Sequence, residues 1–449
     1  MNIEFNVENG KKTNFHFDEF PFFYMDAQRD ILEDTKLQSS YLGKMLSKIK
    51  YTPEEIREIE DQIKALNEKA VSTSDILKNI KTTLKELDTA MDTSSEGIEL
   101  TPFTKKICDL NKGLTIYYND SYDSFSMEYH GMGTRSWSSL LTLKAFISLL
   151  SKNAEQERSI LFPVLAIEEP EAHLHPNAQK KLFGQIDAIP GQKIISTHSP
   201  YIAATAKVSQ IRNFYKDQRV ICGRIDADKL KKEEIRKMDR QVINTRGEIF
   251  FSRLIIFFEG ETEEQALPLL AEKHFGKTAV EMGLNFVGVG GFGGYLPFLY
   301  FAEAFNIPWF IFSDAENIPN KMVKESVQNQ FLKCTSLKKE RDCIVFLDDG
   351  NDFEKQLIYD DFRDEIKKAI AYFDVYENDH HRAAKEPERL VEIQNYKDDV
   401  LYKIITDTKT QYGPVIAEQI IQSKKDLPPK VIDLFEKISA ILKMGGAKT

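Results

Sequence analysis

The sequence predicts an α/β protein of two units, each built on a parallel β-sheet. An apolar strand over residues 164–167 runs directly into Glu168 and Glu169, and a second, over residues 193–196, is followed by His198. Further along the chain, three more apolar runs end in carboxylates. Short apolar runs are typical of parallel strands that are buried on both faces. The carboxyl ends of such strands meet at one sheet edge, where α/β proteins place their ligand sites.

Size and composition fit a folded protein of two or three domains. The chain has 449 residues, of which 42% are hydrophobic and 29% charged. Its net charge of −10 means that nucleic-acid binding would need a local basic patch. No targeting or membrane segment is visible, so we expect a cytoplasmic protein without a membrane partner. The four cysteines form no C-x-x-C pair or disulfide framework, which agrees with a reducing compartment: Cys108, Cys222, Cys334 and Cys343.

The N-terminal region predicts a β-hairpin and then a helical arm. Alternating residues over 2–7 and 13–17 flank an Asn9-Gly10 turn. A helix begins after Thr52, which can form a capping box with Glu55. Two heptad runs separated by residues 72–74 predict an antiparallel helical hairpin at about 50–93, an arm or dimerisation element. We place an ATPase-like unit at residues 1–250 and a second unit at 251–449.

The pair Glu168-Glu169 has the Walker B arrangement of an ATPase. Glu168 would serve as the metal-side acid and Glu169 as the base that orients the attacking water. His198, in T-H-S-P, resembles the switch histidine of ABC-type ATPases and would sense the γ-phosphate. The alternative interpretation is a solvated strand end beside a helix-capping histidine.

A glycine signature supports the ATPase interpretation, although the phosphate loop is missing. Gly131 and Gly133 precede an apolar helix over 137–150, whose first N–H groups suit an anion. In ABC-type ATPases the comparable signature reaches the nucleotide of a partner subunit. The pattern G-x-x-x-x-G-K-[ST] is absent, and a loosened version over 271–278 is better explained as a helix end capped by Gly276. We therefore expect ATP only if a phosphate loop is supplied elsewhere, and no ATP hydrolysis by this chain alone.

The second unit aims a set of carboxylates at one sheet edge. Predicted strands over 254–258, 309–312 and 343–347 each end in acidic residues. Clustered carboxylates repel one another unless a cation neutralises them, and hard oxygen ligands favour Mg²⁺ or Mn²⁺. Two such ions could stabilise both oxygens of a phosphodiester cleavage. The predicted metal ligands are Glu259, Glu263, Asp314, Glu316 and Glu354, with Asp348 and Asp352 as weaker candidates.

A glycine-rich turn leaves a dinucleotide site open as a rival. Gly288, Gly290 and Gly293 form G-x-G-x-x-G after a strand over 285–287, and the acidic Asp314 follows at about the distance of the Rossmann pattern. This alternative predicts an NAD(P)-binding enzyme, but it leaves the acids at the neighbouring strand ends unexplained.

Taken in order, these motifs resemble the OLD (overcoming lysogenization defect) family. The resemblance includes Y-M-D-A-Q-R-D at 24–30, E-E-P-E-A-H-L-H-P at 168–176, T-H-S-P at 197–200 and E-G-x-T-E at 259–263. It implies a partial ABC-type ATPase domain with a helical-hairpin insertion, followed by a Toprim domain with a central parallel sheet and a C-terminal helical segment. The family's phosphate loop would lie upstream of Met1.

The resemblance implies a metal-dependent DNA endonuclease controlled by the ATPase-like domain. The layout is similar to the nuclease subunits of Gabija and retron-linked antiphage systems, so the expected partners are DNA, a homodimer or higher homo-oligomer, and a defence-system protein. A nucleotide-gated scaffold that binds nucleic acid or a partner without cleavage remains the alternative. The implied catalytic residues are Glu259, Glu263, Asp314, Glu316 and Lys409.

Overall fold

The computed structural model separates the chain into two compact units, residues 1–198 and 199–449. Both are α/β units with a parallel sheet, as the sequence predicts. The described residues are 5–6, 12–13, 19–37, 39–46, 51–78, 117–120, 123–217, 219–226, 228, 230–318, 321–334, 342–373 and 379–446.

The first unit is built on a three-stranded parallel sheet with the strand order β3-β6-β7. Leu165 and Ile167 of the central strand are buried. Its elements are β1 (Phe5–Asn6), β2 (Lys12–Thr13), β3 (Phe22–Met25), α1 (Ile31–Lys36), α2 (Tyr41–Leu46), α3 (Pro53–Thr73), β4 (Tyr117–Asp120), β5 (Asp123–Ser126), α4 (Met132–Glu157), β6 (Val164–Glu168), α5 (Pro176–Asp187) and β7 (Gln192–Ser196).

The N-terminal expectations are met as far as the described residues reach. β1 pairs antiparallel with β2, as the predicted hairpin requires. Helix α3 begins with the predicted capping box, in which Thr52 accepts a hydrogen bond from the Glu55 amide and Glu55 accepts one from the Thr52 amide. Residues 75–78 are also helical. The rest of the predicted arm, residues 79–93, lies outside the described part of the chain.

Among the described residues, the second unit has the larger core and most of the helices. Its elements are α6 (Pro200–Ala203), β8 (Asn213–Asp217), β9 (Arg219–Gly223), α7 (Lys232–Met238), β10 (Leu254–Phe258), α8 (Glu261–Phe275), α9 (Ala279–Met282), β11 (Leu284–Gly288), α10 (Tyr295–Ala304), β12 (Trp309–Ser313), β13 (Asn317–Ile318), β14 (Lys321–Met322), α11 (Val323–Cys334), β15 (Ile344–Phe346), α12 (Phe353–Tyr359), α13 (Arg363–Tyr372), α14 (Asp379–Ile393), α15 (Asp398–Asp407), α16 (Lys409–Gln422) and α17 (Pro429–Gly446).

Four parallel strands form the sheet of this unit, in the order β11-β10-β12-β15. Every residue of β10 and β12 is buried, which explains why the sequences of both strands are continuous apolar runs. Alternate residues of β10 belong to two hydrophobic clusters, one containing Ile256 and the other Phe257. Helices therefore cover both faces of the sheet, and its carboxyl edge is left for the polar residues that follow each strand.

The unit boundary and the predicted domain boundary are different positions. The compact units divide between residues 198 and 199, whereas we place the change from ATPase-like to nuclease-like sequence near residue 250. The latter stays a prediction. Among the described residues, no helix is both long enough and apolar enough to cross a membrane.

Candidate functional site

Three of the predicted metal ligands come together at the carboxyl edge of the second sheet. Glu259 follows β10, Glu263 lies in the first turn of α8, and Asp314 follows β12. Each offers a carboxylate oxygen, and the three oxygens lie within 4.8 Å of one another. We call these residues the three-acid group. It arises because β10 and β12 are adjacent parallel strands that end at the same level.

Glu259 is held in place by the end of the neighbouring strand. The Ser313 hydroxyl donates to Glu259 Oε1 at 2.8 Å, and the Asp314 amide donates to Glu259 Oε2 at 3.0 Å. Sequence reasoning did not single out Ser313, because a serine at a strand end is common. Its contact with a candidate metal ligand gives it a supporting role, since groups hydrogen-bonded to a ligand fix its orientation.

Gly260 makes room for Glu263. The chain leaves β10 and enters α8 with Gly260 as the N-cap residue. A Cβ atom at position 260 would overlap the carboxylate of Glu263. A side chain at this position would displace the Glu263 carboxylate from its place in the three-acid group.

Burial raises the pKa of all three acids, and repulsion by neighbouring carboxylates raises it further for Glu263 and Asp314. Burial is the largest cause in each case, and it raises the pKa of Glu259 to about 7, that of Glu263 to about 8 and that of Asp314 to about 10. Asp314 also has one buried oxygen, Oδ1, without a hydrogen-bond partner. Three hard oxygen donors that repel one another, one of them unpaired, fit a divalent cation such as Mg²⁺ or Mn²⁺.

Glu354 lies next to this group but is held by other partners. It is 1% exposed, and the Thr262 hydroxyl donates to its Oε1 at 2.5 Å. Lys409 Nζ lies 3.1 Å from the same oxygen. Burial disfavours the charged ammonium, but the contact with Glu354 raises the pKa of Lys409 overall. The structure thus brings the predicted lysine to the site, although Lys409 and Glu354 are 55 positions apart in the sequence.

The other predicted acids lie outside the three-acid group. Glu316 instead pairs with Lys355, with 3.5 Å between Oε1 and Nζ. Asp352 caps α12 and accepts a hydrogen bond from the Tyr402 hydroxyl at 2.6 Å. Asp348 pairs with Lys430 at 3.0 Å. Basic and phenolic side chains from later helices reach these carboxylates, and the sequence pattern could not reveal that.

The glycine-rich turn connects β11 to α10. Gly290 and Gly291 have φ angles of +74° and +104°, which favour glycine, and neither position would bring a Cβ atom close to another group. Asp314 belongs to the three-acid group and is not set apart as a ribose-binding acid. This placement does not favour the dinucleotide interpretation. The predicted cap at Gly276 is confirmed, with a left-handed φ of +68°.

In the first unit, Glu168, Glu169 and His198 meet at the carboxyl edge of β6 and β7. The Tyr24 hydroxyl donates to Glu168 Oε2 at 2.7 Å. Glu169 follows the strand with a φ of +42°, which is rare for a residue with a side chain. The His198 amide donates to Glu169 Oε2 at 3.2 Å, and the imidazole Nε2 lies 3.5 Å from Oε1. The two acids and the histidine therefore lie close together, as predicted.

Arg29 is the main residue at this edge that the sequence did not identify. It is 7% exposed, and its guanidinium donates to the carbonyl oxygens of Asp26, Glu168, Glu169 and Pro170 at 2.6–3.4 Å. The only available signal was its place in the 24–30 motif. The guanidinium fixes the backbone that carries both glutamates.

The glycine signature forms the start of α4. Gly131 is the N-cap, so Gly133 already lies within the helix. A Cβ atom at Gly133 would overlap the carbonyl oxygen of His173, which shows a close approach between these two segments. His175 caps α5 through Nδ1, which accepts from the Asn177 amide at 3.3 Å. This capping contact gives His175 a structural role at the start of the helix.

Comparison with known proteins separates the two halves of the chain. Residues 9–203 match the sequence model of an AAA ATPase domain. Residues 250–315 match that of an overcoming lysogenization defect protein-like TOPRIM domain. The second match contains all three members of the three-acid group.

Individual relatives are distant. An uncharacterized protein of Escherichia coli, YbjD, is 26% identical over 163 residues, 35% of this chain and 29% of the relative. An OLD nuclease of Thermus scotoductus is 23% identical over 317 residues, 66% of this chain and 57% of the relative. The chain thus matches less than two thirds of the length of either. A solved C-terminal region of the Burkholderia pseudomallei OLD protein is 16% identical and covers 43% of this chain and 99% of its own, but its TM-score of 0.33 is too low to support an argument.

Proposed function

We propose that this chain, an OLD-family protein in which an AAA ATPase domain precedes an OLD-like Toprim domain, is a metal-dependent DNA endonuclease. The three-acid group carries the proposal. It combines three carboxylates within 4.8 Å, strongly raised pKa values and an unpaired Asp314 oxygen at the edge of the Toprim sheet. Such a set of oxygens has a clear use as a divalent-cation site.

Glu259, Glu263 and Asp314 would hold the cation, and the remaining residues would arrange the substrate around it. A bound Mg²⁺ or Mn²⁺ supplies positive charge that stabilises a phosphodiester as it is cleaved. Ser313 keeps the Glu259 carboxylate oriented through its 2.8 Å hydrogen bond. Lys409, whose side chain is one-third exposed, can turn from Glu354 to a phosphate oxygen of the substrate. We retain Glu354 and Glu316 as ligands of a second ion.

The ATPase-like unit would control this activity. Its support is the edge where Tyr24, Glu168, Glu169 and His198 lie together. We expect the chain to form a homodimer or a higher homo-oligomer. Nucleotide bound at this edge would shift that oligomer between an inactive and an active form. We further propose a role in antiphage defence in the cytoplasm, with a defence-system protein as partner. Addition of a non-hydrolysable ATP analogue should change the rate of DNA cleavage if this control exists.

The decisive experiment is cleavage of plasmid DNA by the purified chain with Mg²⁺ or Mn²⁺. Glu259→Gln and Asp314→Asn should each reduce the rate at least 100-fold, because each removes a charged ligand. Glu272→Gln is the matched control, since Glu272 is exposed on the same helix α8 and far along it from the site. Cleavage by both site variants at the parent rate would refute the proposal. DNA binding without any metal-dependent cleavage would favour the scaffold alternative.

A further inference from the structure

Tyr295 places a buried hydroxyl beside the three-acid group. It is the first residue of α10 and is fully buried, with its ring in the hydrophobic cluster on the Phe257 face of the sheet. A close backbone approach fixes this start of the helix, because a Cβ atom at the preceding Gly294 would overlap the carbonyl oxygen of Val289. The position of the phenol is therefore determined by the packing of the turn and the sheet.

The Tyr295 hydroxyl has acidic neighbours but no hydrogen bond of normal geometry. Burial raises the pKa of Tyr295 well above its usual value, and the nearby Glu259 carboxylate is the second largest cause. The hydroxyl also lies near Ser313, which already donates to Glu259. A buried hydroxyl left without a partner destabilises the fold, and phenylalanine at this position would avoid that cost. A tyrosine in this apolar cluster therefore calls for an explanation beyond packing.

We propose that Tyr295 is a positioning residue of the metal site, whose hydroxyl donates to the Glu259 carboxylate when a divalent cation holds that carboxylate. The inference rests on the proposed function, because it requires a cation at the three-acid group. Donors behind a ligand fix its orientation, and hydrogen bonds donated to a carboxylate favour its ionised form, which is the form that binds a cation. Ser313, the Asp314 amide and Tyr295 would then surround Glu259 and leave a defined lone pair for the cation.

The test measures Mn²⁺ binding to the full chain by calorimetry, without DNA. Tyr295→Phe removes one oxygen and keeps the ring, so it should weaken Mn²⁺ affinity about 10- to 100-fold. Ser313→Ala should have an effect in the same range. The matched control is Tyr300→Phe, on the same helix and partly buried against the same cluster, which should bind as the parent does. The unfolding midpoint of cation-free Tyr295→Phe should equal or exceed that of the parent.

Each outcome decides between the two proposals. Equal Mn²⁺ affinity in the parent and Tyr295→Phe would overturn the inference and leave the nuclease proposal intact. A weaker affinity accompanied by a lower unfolding midpoint without cation would also overturn it, because the hydroxyl would then serve the fold. If the parent binds no Mn²⁺, or binds it equally after Asp314→Asn, the proposed metal site itself is wrong.

Discussion

Lys409 Nζ lies 3.1 Å from Glu354 Oε1, which joins the start of α16 to the start of α12 beside the three-acid group. The Glu354 side chain is 2% exposed and that of Lys409 is 33% exposed. The carboxylate is therefore the more buried charge, and the lysine is the partner that solvent and substrate can reach. Lys409 thus neutralises a buried acid and, in the proposed reaction, would also contact a phosphate.

Replacing Lys409 should reduce stability. Lys409→Met keeps much of the side chain but leaves the buried Glu354 charge unpaired, so we expect a loss of about 1–3 kcal/mol after allowing for the exposure of the lysine. The measurement is urea unfolding followed by tryptophan fluorescence. In a Trp137→Phe background only Trp309 remains, so the signal reports the second unit.

The double variant separates stability from catalysis. Adding Glu354→Gln to Lys409→Met removes the unpaired charge, so most of the lost stability should return. Cleavage should stay low, because the proposed phosphate contact and one proposed ligand of the second ion are both missing. A double variant that regains both stability and cleavage would show that Lys409 acts only on the fold.

The stabilisation by Mn²⁺ should increase with pH. The pKa values of Glu259 and Glu263 are about 7 and 8, compared with 4.5 for an ordinary glutamate. Between about pH 4.5 and 8 the folded state therefore holds protons that the unfolded state has lost, and the stability of the cation-free protein falls as pH rises. A cation replaces those protons. The rise in melting temperature on adding Mn²⁺ should be larger at pH 8.5 than at pH 6.

The control for this prediction is the Glu272→Gln variant, measured at the same two pH values. Glu272→Gln should show the parent's pH dependence, because Glu272 is exposed and distant from the group. A melting-temperature shift that is equal at both pH values would contradict the linkage between proton and cation at these acids.

Asp314→Asn should stabilise the cation-free protein while abolishing cation binding. Burial and repulsion by Glu263 and Glu259 raise the pKa of Asp314 to about 10, so at neutral pH the folded state must take up a proton that the unfolded state has lost, which lowers stability. A neutral amide of the same shape relieves this, and we expect a gain of about 1–2 kcal/mol at pH 8, within the range of stabilising changes at functional sites. Urea unfolding without metal tests it. A destabilised variant would indicate that Asp314 is a structural acid.

Arg29→Gln should loosen the strand end that carries Glu168 and Glu169. The guanidinium donates to four carbonyl oxygens, and the shorter amide cannot reproduce that pattern. Loss of these bonds should destabilise the segment by about 2–3 kcal/mol. Hydrogen exchange should become faster at residues 164–170 and stay unchanged at 254–258. Arg57→Gln, at an exposed position on α3, is the control. Unchanged exchange at 164–170 would remove the assigned role.

Elements with a strong local signal could be predicted from the sequence. The bounds of β10 agree residue by residue, because a continuous run of five apolar residues ends at Glu259. The start of α3 agrees because the capping box is complete within four residues. Glu259 and Asp314 lie close together because they follow two adjacent parallel strands. The alternation of strands and helices in the sequence predicts such strands.

Contacts between distant segments could not be predicted in the same way. Glu316 stands two residues after Asp314, and the acid-x-acid spacing predicts that both join one site. In the structure Glu316 pairs with Lys355 of α12 and lies outside the three-acid group. The contacts of Arg29 with residues about 140 positions away, and the position of Tyr295 behind Glu259, likewise depend on packing that no local pattern encodes.

The overlap between a Cβ atom at position 260 and the Glu263 carboxylate constrains how this site can evolve. A methyl group on Gly260 would displace the Glu263 carboxylate. Gly260 has no functional group of its own, yet we expect it to tolerate substitution as poorly as the proposed metal ligands do. A shorter acid at position 263 would relieve the overlap. The two positions are therefore expected to show strong epistasis, and a viable alternative to this pair should require both residues to change together.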